Sequence, residues 1–201
     1  MTKVTAAEVK DLRNKTGAGM LDCKNALVEA DGDENRAVEI LRAKGQASVD
    51  KRSGRDTSEG AVASYIHSNK QIGAMVEIQC ETDFVARNDD FLEFAYDLAM
   101  HVAANNPEFL SADDIPDSVV EQERSVFTEK TLAEGKPEHI VEKIVDGQIA
   151  KWKKGIVLLD QEHINVDKHE KKTIEELRAE LSAKVGENVV VARFTRFEVG
   201  A

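Results

Sequence analysis

A chain of 201 residues with mixed, ordinary composition is long enough for one medium domain, or for a small module joined to a larger one. A formal net charge of −11 argues against direct nucleic-acid binding, because phosphate backbones are held chiefly by Lys and Arg. No apolar run reaches the ~18 residues that span a bilayer, and MTKVTAAEVK lacks a signal-peptide core, so a soluble, cytoplasmic chain without a membrane partner is expected.

In chain order, the first segment reads as three short helices. Thr5 is an N-cap with Glu8 completing a capping box, followed by an apolar stripe of Val9 and Leu12. The run Thr16-Gly17-Ala18-Gly19 breaks the pattern with a tight reversal. A second helix carries Met20, Cys23, Leu27 and Ala30 at helical spacing. Asp33 caps a third, which buries Ala37, Val38, Ile40 and Leu41 until Gly45 stops it. Three such helices enclose only a marginal core, and a module of this size usually docks onto something. QASVDKRSGRDTSE, residues 46–59, is polar and without periodicity and reads as a linker, its basic cluster from Lys51 to Arg55 included.

The hydrophobic period then switches from 3.6 to 2. Ala61–Ile66 and Gly73–Cys80 form a predicted hairpin around Ser68-Asn69-Lys70, with Ala74, Val76, Ile78 and Cys80 facing a core. Asn88 or Asp89 caps a helix whose stripe is Phe91, Phe94, Ala95, Leu98 and Val102, ended by Pro107. Residues 118–135 and a cleaner stripe from Ile140 to Trp152 suggest a helical hairpin. Gly155–Leu159 reads as a further strand. Thr173 caps a helix running through Leu181, and Glu187–Val199 closes the chain as a long strand. The predicted fold class is α+β: a three-helix bundle, then a small antiparallel sheet packed with helices and a helical hairpin. The predicted domains are 1–50, a linker at 51–59 and a core at 60–201.

Chemistry is sparse. Gly17-Ala18-Gly19 lacks the strand and third glycine of a dinucleotide site, and no phosphate-binding glycine loop follows, so no nucleotide cofactor is expected. The two cysteines, Cys23 and Cys80, are too few and too far apart for a disulfide framework or a zinc site, and each lies in an apolar pattern. Cys80 therefore reads as core rather than as a nucleophile. His163 and His169 lie among Asp160, Glu162, Asp167 and Glu170, a loose spacing that reads as a solvated loop rather than a metal cluster. No carboxylate pair stands out, and spacing alone describes a binding protein. The odd feature is CETDFVARND, residues 80–89, where Phe84 stands at a strand–helix junction. Its ring either folds back under Phe91 or is an exposed anchor for a partner's pocket, with Asp83 adding a charge beside it.

Four stretches bring a family into view: LRNKTGAGMLDCKNALVEADGDENRAVEILRAKG, VEIQCETDFVARND, AMHVAANNPEFL and RFEVG. In this order they closely resemble the motifs of bacterial elongation factor Ts. The resemblance implies a non-enzymatic guanine-nucleotide exchange factor for the GTPase elongation factor Tu. It also implies a ubiquitin-associated-like first module that docks on the nucleotide-binding domain through Leu12, Arg13, Met20 and Lys24. For Leu12 a core position competes with that role.

The resemblance further makes Thr82, Asp83, Phe84 and Val85 the exchange motif. Phe84 would wedge between two helices near the GTPase's magnesium site, and Asp83 would hydrogen-bond beside it. His101, in the HVA block, would face the partner's other domains. Longer relatives carry two related core subdomains, whereas this chain carries one, which suggests a symmetric homodimer. Two rivals stay open at this level: a helical adaptor for another partner, and a thiol or metal enzyme using Cys80 and histidines.

Overall fold

The computed structural model describes residues 4–201, so the first three residues of the predicted docking module lie outside it. Helices α1 (Ala6–Thr16), α2 (Met20–Glu29) and α3 (Glu34–Arg52) come first, followed by strands β1 (Glu59–Ile66) and β2 (Ile72–Cys80). A one-turn helix α4 (Asp83–Ala86) leads into α5 (Asp89–Asn105). Then come α6 (Asp117–Ala133), α7 (Glu138–Ile156), the short α8 (Val166–His169), α9 (Ile174–Val185) and β3 (Val190–Glu198). The described strands form one antiparallel sheet in the order β1-β2-β3, and the fold is α+β.

The described chain divides into two compact units. One comprises residues up to Ala61 with Ile78–Leu92 and Arg178–Val190; the other comprises Val62–Glu77, Glu93–Leu177 and Val191–Ala201. The N-terminal helices are thus joined in one unit to the strand–helix junction at residues 78–92.

Local chemistry starts and stops the first helices as the sequence predicts. Thr5 and Glu8 form the capping box of α1, and Gly17 ends it at φ +68°, a left-handed conformation that costs glycine nothing. The Asp33 side chain accepts the Arg36 N–H at 3.0 Å and caps α3. Val9, Leu12, Cys23, Ala26, Leu27, Ala37 and Leu41 fill the core of the bundle.

The predicted stop at Gly45 and the predicted linker need correction, because α3 continues through Gly45 to Arg52. Glycine inside a helix costs only about 1 kcal/mol relative to alanine, and contacts within the unit outweigh it. Val49 is buried, and Arg52 Nη1 donates to Ser182 O at 3.0 Å. The residues after the helix are also tied down: Asn188 Nδ2 donates to Arg55 O at 3.0 Å and to Ser53 O at 3.4 Å.

Ala74, Val76, Ile78 and Cys80 are buried along one face of β2, as the alternation predicts. At Gly60 a Cβ would stand 2.2 Å from Ile78 O, so the ladder closes there only over a residue with no side chain. Phe91, Phe94, Ala95, Leu98 and Val102 form the buried stripe of α5.

The α6–α7 hairpin packs Val141, Val145 and Ile149 against Val120, Phe127 and Trp152. The strand predicted at Gly155–Leu159 is not formed. Helix α7 runs to Ile156, Val157 makes a single parallel bridge to Phe109, and Leu158–Asp160 is a 3-10 turn. A short apolar run has no periodicity to separate strand from buried turn, and here Val157 and Leu158 are fully buried in the turn. The last helix carries a capping box as well, with Thr173 Oγ1 accepting from Glu176 N at 3.2 Å and Glu176 Oε2 from Thr173 N at 2.8 Å. It runs past Leu181 to Val185, and β3 begins at Val190 rather than at Glu187.

Candidate partner-binding site

Between β2 and α5 the chain makes the single turn of α4. Thr82 adopts an extended conformation and N-caps it, its hydroxyl accepting the Val85 N–H at 3.5 Å. Val85 and Ala86 turn inward and are buried, which corrects the expectation that Val85 meets a partner: it anchors the turn instead. Phe84, on the opposite side, is 84% exposed, which removes the alternative in which its ring folds back under Phe91. Asp83 is half-exposed and pairs with Arg87 at 3.2 Å. The result is a bare aromatic ring with a carboxylate beside it on a hydrogen-bonded turn.

The base of this turn is held from far away in sequence. The Glu187 carboxylate accepts from Glu81 N and Thr82 N, both at 3.0 Å, and from the Thr82 hydroxyl at 2.6 Å. Reciprocally, Glu81 Oε1 accepts from Asn188 N at 2.6 Å, and Arg55 pairs with Glu81 at 3.3 Å. The hydrogen bond from Asn188 holds the Glu81 carboxyl below its ordinary range, with Arg55 adding to the effect. Sequence reasoning missed Glu187. It lies 105 residues from Thr82, and no local pattern links them.

A second surface lies on α2 in the same unit. At 100° per residue, Met20, Lys24, Val28 and Leu21 fall on one arc of the helix, flanking the arc of the buried Cys23, Ala26 and Leu27, with Met20 at the border between them. Met20 is 46% exposed, Leu21 68% and Val28 52%, while Lys24 and Arg13 are also exposed. Leu12, by contrast, is fully buried, so it belongs to the bundle core rather than to a docking face. Leu21 and Val28 went unpredicted, although their seven-residue spacing was a usable signal.

His101 also needs correction, because it is fully buried. Its Nδ1 accepts from Ile164 N at 3.1 Å, and its Nε2–H donates to Gln161 Oε1 at 2.8 Å. Burial pushes its pKa down to about 4. The histidines predicted to lie in a solvated loop are likewise drawn in. His163 is buried, its Nε2–H donating to Asp97 O at 3.2 Å and its Nδ1 accepting from Asn165 N at 3.0 Å. His169 Nε2 and Lys168 Nζ meet Asp97 Oδ2 at 3.1 and 2.5 Å. Both His163 nitrogens are engaged and an ammonium occupies the carboxylate, so the cluster is a structural knot. Cys80 is buried, its thiol donating to Thr82 O at 3.3 Å. Burial pushes that thiol up to about 11, with the Glu187 charge adding to the effect, and so disfavours a nucleophilic thiolate.

An α+β chain with an aromatic probe on a fixed turn and an apolar helix face in the same unit has the make-up of a partner-binding factor. Comparison with known proteins gives the family. The family model described as Elongation factor TS matches residues 33–201. Elongation factor Ts of Oleidesulfovibrio alaskensis is 54% identical over 201 residues, the whole of both chains. That of Solidesulfovibrio magneticus is 52% identical over 200 residues, covering all of this chain and 98% of the relative. That of a Thermoanaerobacter species is 48% identical over 197 residues, covering 98% and 95% of the two chains. The chain belongs to the elongation factor Ts family and is a bacterial translation elongation factor.

Proposed function

We propose that this chain binds elongation factor Tu and speeds GDP release by disturbing its magnesium and nucleotide site, with Asp83 and Phe84 as the intruding pair. The observation that carries the reading is the 84% exposure of Phe84 on a turn that its own unit holds in place. Burying such a ring in a partner's pocket contributes roughly 1.5–3 kcal/mol, enough to bias a switch element between two arrangements. Magnesium bridges nucleotide phosphates to a GTPase, so disordering its ligands weakens phosphate binding. The coupling is reciprocal: nucleotide and exchange factor each weaken the other's binding through a ternary complex. This chain performs no covalent step and needs no cofactor.

In this reading the α2 face docks the first module, with Met20, Lys24 and Arg13 joined by Leu21 and Val28. The protein works in the cytoplasm as a homodimer and makes no direct contact with nucleic acid or membrane. The dimer is supported by the outward face of the sheet, where Val62, Ile66, Met75 and Phe197 are 62, 57, 47 and 69% exposed. The same face carries Ser64, Thr195 and the Arg193–Glu77 pair, and the exposed apolar residues beside them give a second copy a surface to cover. The decisive measurement is stopped-flow release of a fluorescent GDP from elongation factor Tu. Wild-type chain should accelerate it and Phe84→Ala should lose most of that effect. Unchanged release with wild-type chain overturns the proposal.

A further inference from the structure

We infer that Glu187 is a positioning residue for the exchange motif: its carboxylate locks the turn that presents Phe84. The inference rests on the exchange-factor reading above. Helix α4 is four residues long, and an isolated single turn does not hold itself, because nucleation fixes several backbone angles for one hydrogen bond. Its order must come from outside. The Thr82 hydroxyl has one proton and two lone pairs. Its bond to Glu187 Oε1, at 2.6 Å, takes the proton and leaves a lone pair for the Val85 N–H. Glu187 thereby sets the orientation of the cap as well as its place. The same carboxylate takes the two backbone N–H groups of Glu81 and Thr82, both at 3.0 Å. All three bonds are charge-assisted, the stronger class of hydrogen bond.

Glu187 is itself fixed. Gly186, at φ +79°, reverses the chain after α9, and Ser182 Oγ donates to Glu187 O at 2.5 Å. Asn188 then returns a bond to Glu81 at 2.6 Å. Residues 81–82 and 187–188 therefore grip each other from both sides, directly behind a ring that must enter a partner without yielding. A probe on a loose turn would lose its intrusion energy to ordering entropy.

The test has two arms on the full chain. In the first, Glu187→Gln keeps the side chain's shape but removes the charge from all three bonds, leaving one oxygen for the two N–H groups and an NH2 facing the Thr82 hydroxyl in place of the oxygen that took its proton. Amide hydrogen exchange of the free chain should show protection at Thr82 and Val85 falling about tenfold, with β2 and α9 unchanged. In the second, stopped-flow release of fluorescent GDP from elongation factor Tu is measured at saturating chain. Glu187→Gln should slow the stimulated rate about tenfold, and the double variant with Phe84→Ala should be no slower than Phe84→Ala alone. Thr82→Val, which removes the hydroxyl but keeps both backbone donors, should repeat this non-additive pattern at smaller size and serves if Glu187→Gln does not fold. Losses that multiply, a wild-type rate for Glu187→Gln, or unchanged amide protection each overturn the inference. Absence of stimulation by wild-type chain defeats the exchange reading instead, and the hydrogen-exchange arm still decides whether Glu187 holds the turn.

Discussion

Phe84 shows what a residue can do when it is taken out of the core. With 84% of its surface exposed, its ring adds nothing to folding, so Phe84→Ala should leave the unfolding midpoint within the range of ordinary surface changes, about ±0.5 kcal/mol, while abolishing most exchange. Circular dichroism and the GDP-release assay separate the two effects. The buried imidazoles behave oppositely. Burial lowers the pKa of His101 to about 4 and also lowers that of His163. The unfolded chain therefore takes up protons first, near the ordinary value of about 6.5. Stability should be complete above that pH and fall as pH drops toward the folded-state values. For His101 the loss is of order 3 kcal/mol, at roughly 1.4 kcal/mol per pH unit. Both rings accept a backbone N–H through Nδ1, at 3.1 Å for His101 and 3.0 Å for His163, which an imidazolium cannot do. Urea midpoints at pH 7, 6 and 5 check this, and a flat series counts against it.

At the scale of elements, helix α3 illustrates how tertiary contact overrides a local stop signal. Gly45 sits mid-helix, and a Cβ built there would meet Ala183 Cβ at 3.7 Å, an ordinary contact. Gly45→Ala should therefore stabilise the chain by about 0.5–1 kcal/mol through helix propensity and a less flexible unfolded state. A higher urea midpoint with an unchanged slope is the expected result; a lower midpoint would mean the packing is tighter than this distance implies. Capping was readable in advance for the opposite reason. Thr5, Asp33 and Thr173 act on groups within three residues of themselves, so no distant information is needed to place them. The same locality explains the failure at Gly155–Leu159, where neighbours distant in sequence decided between strand and turn.

For the molecule as a whole, the exposed apolar residues on one sheet face are the feature on which the proposed dimer rests. In the proposed homodimer, a second copy of the chain would cover Val62, Ile66, Met75 and Phe197 in a closed, two-fold arrangement. Sedimentation of wild-type chain at micromolar concentration should report twice the monomer mass of 22.2 kDa. Phe197→Asp should return the monomer, since a buried unpaired carboxylate is costly in such an interface. A wild-type monomer defeats the dimer.

By itself, the sequence determined the α+β class, the three-helix bundle with its caps, the hairpin, the buried stripe of α5 and the motif around Phe84. All of these are written in periodicity and short-range hydrogen bonding, or in motifs shared with a family. Tertiary structure alone decided that His101 points inward, that Phe84 points outward, and that Glu187 reaches Thr82 across 105 residues. A residue's type permits burial or exposure equally at such positions. Which one it adopts depends on partners that meet only when the chain closes on itself.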